Sequence, residues 1–211
     1  MTTYPLRSTA LTVPTRGTRP AIAFGVCLAV GLGNDIVFNA IRGSQAIYLV
    51  DYALKALMLF LALKALPEVP TVAARRIGWP LRAGVLFVCI AAGILSIKLE
   101  TAIDPAWRLF EWPALPSNLY RGLDLTAGLL LNAAAEELAY RRLALAVLPF
   151  GPRGNLLAAA LLFGLIHWGG GPGNVLCATI CGLCWGPAYR FTGSLALVIT
   201  AHYLVNVWAF W

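Results

Sequence analysis

Seven apolar stretches, each interrupted by a short break rich in glycine, proline or charge, constrain this chain more than any other feature. They cover residues 21–41, 45–66, 81–103, 123–148, 155–168, 175–189 and 194–211. A helix needs about 20 mostly apolar residues to cross roughly 30 Å of hydrocarbon. Five of the stretches are close to that length; those at 155–168 and 175–189 are short, and would be tilted, broken or extended into the flanking loops. The breaks carry turn chemistry: Arg42-Gly43-Ser44, 67–80, 104–116, Gly151-Pro152, 169–173 and Thr192-Gly193. Composition closes off the soluble alternative, because 60% of the 211 residues are hydrophobic and only 12% charged, against about 25% charged in soluble domains. With a mean hydropathy of +0.77, disorder, a disulfide scaffold and a collagen-like chain are excluded as well. The expected fold is all-α: a polytopic membrane helix bundle of about seven transmembrane helices, with six possible.

Charge placement suggests an orientation. With a cytoplasmic N-terminus and an odd number of spans, the inner segments hold Arg7, Arg16, Arg19, Lys64, Arg75, Arg76, Arg82, Arg142, Arg153 and Arg190. The outer ones hold Arg42, Lys98, Arg108 and Arg121, in keeping with the positive-inside rule. The net charge of +7 is thereby explained by topology. No basic stripe with interleaved aromatics is present, so no nucleic-acid partner is expected. The first twenty residues form a polar tail without the apolar core and cleavage site of a signal peptide. The segment 105–116, with Trp107, Phe110 and Trp112, is expected at headgroup level, and Trp208 and Trp211 at the outer interface. All five cysteines lie in apolar stretches and imply no disulfide framework.

Ionisable groups inside hydrocarbon are costly and need an explanation. In the second stretch, Asp51 and Lys55 have the i, i+4 spacing of a structural ion pair, and Asn34-Asp35 in the first is ambiguous. The fourth contains Glu136-Glu137-Leu-Ala-Tyr140-Arg141-Arg142. Arg141 is in register to neutralise Glu137, whereas Tyr140 occupies the corresponding position for Glu136. Glu136 therefore reads as a desolvated carboxylate without a close cation, suited to general-base work, unless Arg142 takes it. The two histidines of the chain, His167 and His202, both fall in apolar stretches, and Asn206 shares a helix face with His202. At 1.5 Å per residue, Glu136, His167 and His202 reach comparable depths and could converge. Cys177, Cys181 and Cys184 share a face as a metal site would, but small residues at a helix contact explain them better. The glycine-rich 169–173 lacks the strand and Lys-Ser/Thr of a phosphate loop and reads as a turn.

The order Glu136-Glu137-x-x-x-Arg141, Phe163-x-x-x-His167, His202-x-x-x-Asn206 resembles the CPBP intramembrane proteases, the family of the CAAX-processing Rce1-type enzymes and the bacterial Abi proteins. The resemblance covers about residues 121–211, a CPBP-like catalytic helical core; residues 21–120 are membrane helices to which it assigns no role. It implies an intramembrane endopeptidase with Glu136 as catalytic glutamate, Glu137 and Arg141 in support, and His167, His202 and Asn206 completing the site. The substrate would be membrane-anchored, with a lipidated C-terminus or a C-terminal sorting segment, reached laterally through the lipid bilayer. The expected location is a bacterial inner membrane, in a multi-pass protein of undetermined oligomeric state. Two mechanisms fit the residues. Glu136 could activate water without any cofactor, the favoured reading, or Glu136, His167 and His202 could hold Zn²⁺ as a His₂Glu set. The non-catalytic alternative is a membrane factor for bacteriocin immunity, scaffolding, haem or ion handling.

Overall fold

The computed structural model describes residues 17–72, 77–103 and 107–211. Arg7, Arg16, Arg75, Arg76 and Pro105 lie outside the described residues, as does most of the polar tail. Every regular element among the described residues is helical. The seven apolar stretches become seven helical rods: α1 Thr18–Ala40, α2 Ala46–Ala65, α3 Trp79–Thr101, α4 118–147, α5 Gly151–Leu165, α6 Pro172–Thr192 and α7 Leu195–Phe210. Three segments, Thr18–Ala40, Ala46–Glu68 and Trp79–Thr101, are long and apolar enough to cross a membrane.

Local chemistry sets the ends of these rods. Ser117 caps α4 by accepting from the Tyr120 N–H, and Ser194 caps α7 by accepting from Leu197 N. Gly193, at φ 65°, ends α6 in the left-handed conformation. With Pro172 in its first turn, α6 runs 21 residues, so the short stretch at 175–189 is extended on both sides. α5 is short, at 15 residues, and stops at Leu165. His167 therefore does not lie within a helix as expected. It sits just beyond α5, at the start of a 3-10 turn formed by Trp168–Gly170. α4 contains two π turns, Asp124–Gly128 and Leu138–Leu143, the second directly following Glu137. Such wide turns recur at functional sites.

α4 lies between α2 and α7, while α6 packs on both α3 and α5, and α1 packs on α2. The outer surface exposes large apolar side chains such as Ile22, Leu49, Phe87, Leu95 and Leu157. Charged groups are instead buried: Lys55, Glu136, Glu137 and Arg141. An apolar outside around a charged inside suits a lipid solvent. Helix contacts rely on small residues, which let backbones approach closely. A Cβ on Gly182 of α6 would come within 2.8 Å of the Ala160 Cα in α5. The cysteines behave likewise: Ser96 of α3 lies 3.1 Å from Cys177 Sγ and 3.3 Å from Cys181 Sγ of α6.

The segment from Trp107 to Pro116 is an irregular strap across one end of the bundle. Leu109 N–H donates to the Gly169 carbonyl at 2.8 Å, and Tyr48 OH donates to the Pro113 carbonyl at 2.7 Å. Phe110 and Trp112 turn inward onto Phe38, with ring centroids 5.3 and 5.5 Å away. Trp107 alone of the three expected headgroup aromatics is largely exposed, at 72%. Replacing Gly182 by valine should destabilise the protein by about 1–3 kcal/mol through overpacking against α5, read as a lower unfolding temperature in detergent.

Candidate active site

Glu136, near the middle of α4, is 2% exposed. It is not unpaired. The Lys55 ammonium of α2, itself 4% exposed, forms a buried ion pair with Glu136 Oε1. This overturns two expectations at once. Lys55 does not pair with Asp51 on its own helix, because its long side chain reaches across to α4, and Glu136 does have a close cation. Arg142 does not take Glu136 either; its Nη1 donates to the Pro70 carbonyl at 3.2 Å and to Tyr189 OH at 3.1 Å.

The other oxygen of Glu136 is the free one. Oε2 is buried without a hydrogen-bond partner, and two imidazoles face it: His167 Nε2 and His202 Nε2, each at 3.9 Å. Groups at such a separation are candidates for bridging by a water molecule. Both rings are held from behind. His167 Nδ1 lies 2.7 Å from the Phe163 carbonyl, so it donates there. His202 Nδ1 lies 3.1 Å from Glu137 Oε1 and donates to that carboxylate. Each ring thus presents Nε2 to the Glu136 side. Phe163 fixes both edge-on, with centroids 5.0 Å from His167 and 5.9 Å from His202.

Glu137 and Arg141 form the expected i, i+4 pair, Nε to Oε2 at 2.9 Å and Nη2 to Oε1 at 3.3 Å. The guanidinium also lies 4.8 Å over the Phe163 ring, a favourable cation–π position. Glu137 therefore joins Arg141 to His202, and Phe163 packs against all three of Arg141, His167 and His202. Asn206, one turn beyond His202, lines the same cavity. Its side chain makes no hydrogen bond to another described residue.

These groups open into a cavity of about 670 Å³ that runs from Glu136 to the strap, where Arg108, Phe110 and Trp112 line it. α1 and α2 supply Asn34, Asp35, Asp51 and Lys55, which the sequence reading left without a role in the site. Asp35 Oδ2 accepts from Gly169 N–H at 2.7 Å, fixing the turn that carries His167. Their signal in the sequence was intramembrane charge itself; a partner on another helix could not be read from spacing. Among the described residues, no group of three His, Cys, Asp or Glu side chains is arranged to hold a metal ion. The Lys55 ammonium on Glu136 further opposes a second cation on that carboxylate.

Residues 119–208 match the family model described as Rce1-like, the type II CAAX prenyl endopeptidases. The matched part spans α4 to α7, which is what the chain has in similarity to that family. No curated protein and no solved structure shows significant similarity to the chain.

Breaking the Glu137–Arg141 pair by Arg141→Met should cost about 3–5 kcal/mol, because a buried carboxylate loses its counter-charge. Thermal unfolding of the purified protein checks this, with circular dichroism confirming that helix content survives at low temperature.

Proposed function

We propose that the chain is an intramembrane endopeptidase that cleaves membrane-anchored proteins or peptides by a glutamate-activated water, without a metal. The observation that carries this is the free Glu136 Oε2 facing two ring nitrogens at a water-bridging separation. Lys55 holds Oε1, so the other oxygen is aimed at the water. Water bound by Glu136 and His167 attacks the scissile carbonyl carbon and gives one proton to Oε2. The resulting oxyanion is met by the Asn206 amide and, when the ring carries both protons, by the Nε2–H of His202. The Glu137 carboxylate behind His202 offsets the charge of an imidazolium there, much as a buried aspartate supports the histidine of a hydrolase triad. The tetrahedral centre then expels the amine, which takes the proton from Glu136 as the C–N bond breaks. The immediate products are a carboxylic acid and an amine, the acid's proton passes to the amine to leave a carboxylate and an ammonium, and Glu136 is regenerated as a carboxylate.

Access fits this chemistry. The apolar flanks suit a substrate held in the bilayer, and the polar cavity under the strap suits water. All seven helices act as crossings in this reading, with the N-terminus cytoplasmic as the loop charges favour, in a bacterial inner membrane. The non-catalytic alternative is less well supported. Both imidazoles turn to one carboxylate, which suits proton transfer better than axial ligation of a haem iron.

Replacing Glu136 alone would strand the Lys55 ammonium, so the decisive variant removes both charges. Glu136→Gln with Lys55→Met should lose roughly 10²–10⁴-fold of the activity towards a membrane-anchored reporter while remaining folded. Full activity would refute the proposal. Wild-type activity should survive chelators, and metal analysis should find no stoichiometric zinc; tightly bound zinc required for turnover would replace the metal-free mechanism.

A further inference from the structure

His167 is carried differently from the rest of the site. Glu136 lies in α4, and His202 and Asn206 lie within α7. His167 instead follows the end of α5 at Leu165 and precedes the 3-10 turn Trp168–Gly170. Its own N–H has already left the α pattern and donates to the Gly164 carbonyl, three residues back, at 3.0 Å. A reacting ring on such a turn needs support from elsewhere, because misplacement by about 1 Å costs on the order of 10²-fold in rate.

That support comes from α1. Gly31, Asp35 and Phe38, spaced i, i+4, i+7, share one buried face of this helix. Ile166, 3% exposed, packs so closely on Gly31 that a Cβ there would come within 2.9 Å of Ile166 Cγ2 and 3.1 Å of Ile166 Cβ. Trp168 Nε1 donates to the Leu32 carbonyl at 3.0 Å. Gly169 N–H donates to Asp35 Oδ2, and a Cβ on Gly169 would lie 2.7 Å from the Asp35 carboxyl carbon. Ile166 on one side of His167, and Trp168 and Gly169 on the other, therefore all dock on α1. The strap completes the hold: Leu109 N–H donates to the Gly169 carbonyl, and Phe110 and Trp112 rest on Phe38 of the same α1 face. Of these ties the one to Asp35 is the firmest, since a hydrogen bond to a carboxylate is stronger than one between neutral groups.

We propose that the Gly31–Asp35 face of α1 sets the placement of His167, with Asp35 as a positioning residue for the reaction. This rests on the protease reading and adds to it a residue that lies outside the matched segment 119–208. Asp35 acts through the Gly169 N–H and the turn, so its carbonyl-type acceptor is what the site requires. Gly31 acts through Ile166, the residue directly before His167; being buried, Ile166 has no room to yield to a new methyl group without moving the turn.

The test exploits the fact that the chain has two histidines, so the full-length protein with ¹⁵N-labelled histidine gives ring signals from His167 and His202 alone. Gly31→Ala and Gly33→Ala make the same change two residues apart on α1, but a Cβ at Gly33 meets nothing within 4 Å. Alanine is preferred to glycine within a helix, so both variants keep the helix. Gly31→Ala and Asp35→Ala should shift the His167 ring signals and leave those of His202 in place, whereas Gly33→Ala should match the wild type. Activity towards the membrane-anchored reporter should follow: Asp35→Ala lowers kcat roughly 10–10²-fold with KM little changed. Asp35→Asn, whose amide oxygen can still accept from Gly169, recovers most of that loss. Unmoved His167 signals in Gly31→Ala and Asp35→Ala, or equal shifts in Gly31→Ala and Gly33→Ala, would overturn the proposal. The glycine pair decides the matter even if Asp35→Ala does not fold. Ring signals need no turnover, so full activity of the Glu136→Gln/Lys55→Met protein would refute the protease while the spectra judged the placement of His167 separately.

Discussion

One buried ion pair ties the molecule together: the Lys55 ammonium of α2 on the Glu136 carboxylate of α4. In hydrocarbon neither charge could be left alone, since an isolated buried ion is far costlier than a paired one. The pair therefore fixes the approach of α2 to α4 and makes the first half of the chain part of the site in the second. It also divides the two oxygens of Glu136 between them. Oε1 is committed to Lys55, and Oε2 is held towards the imidazoles of His167 and His202. The Rce1-like segment alone, residues 119–208, contains the glutamate, both histidines and Asn206 but not the cation that orients the glutamate.

Around that pair the bundle is organised as a lipid solvent requires. Large apolar side chains face outward, small residues and cysteines bring the helices close, and the polar groups gather on one cavity. Phe163 is central to the arrangement because three site side chains, Arg141, His167 and His202, pack against its ring. Asp35 anchors the turn that carries His167, so α1 also contributes to the placement of a ring held otherwise only by α5. The strap at 107–116 lies over the mouth on hydrogen bonds to α2 and to the Gly169 turn. It is therefore coupled to the elements that carry Lys55 and His167.

The amino-acid sequence by itself determined the helical class, the number and approximate position of the apolar rods, and the Glu137–Arg141 pair. Each of these follows from periodicity or near-neighbour spacing, which a single helix enforces. The likeness of Glu136, His167, His202 and Asn206 to a protease site was legible for the same reason, since their spacing along three segments is a local property. Local reasoning failed at Lys55, which was matched with Asp51 one turn away but reaches a glutamate 81 residues distant in the chain. It failed again at His167, placed within a helix that in fact ends at Leu165. Tertiary structure alone decided which helices face one another, and hence which charge neutralises which. In a low-dielectric interior that choice follows from three-dimensional distance, and distance between helices is not encoded in the spacing within any one of them.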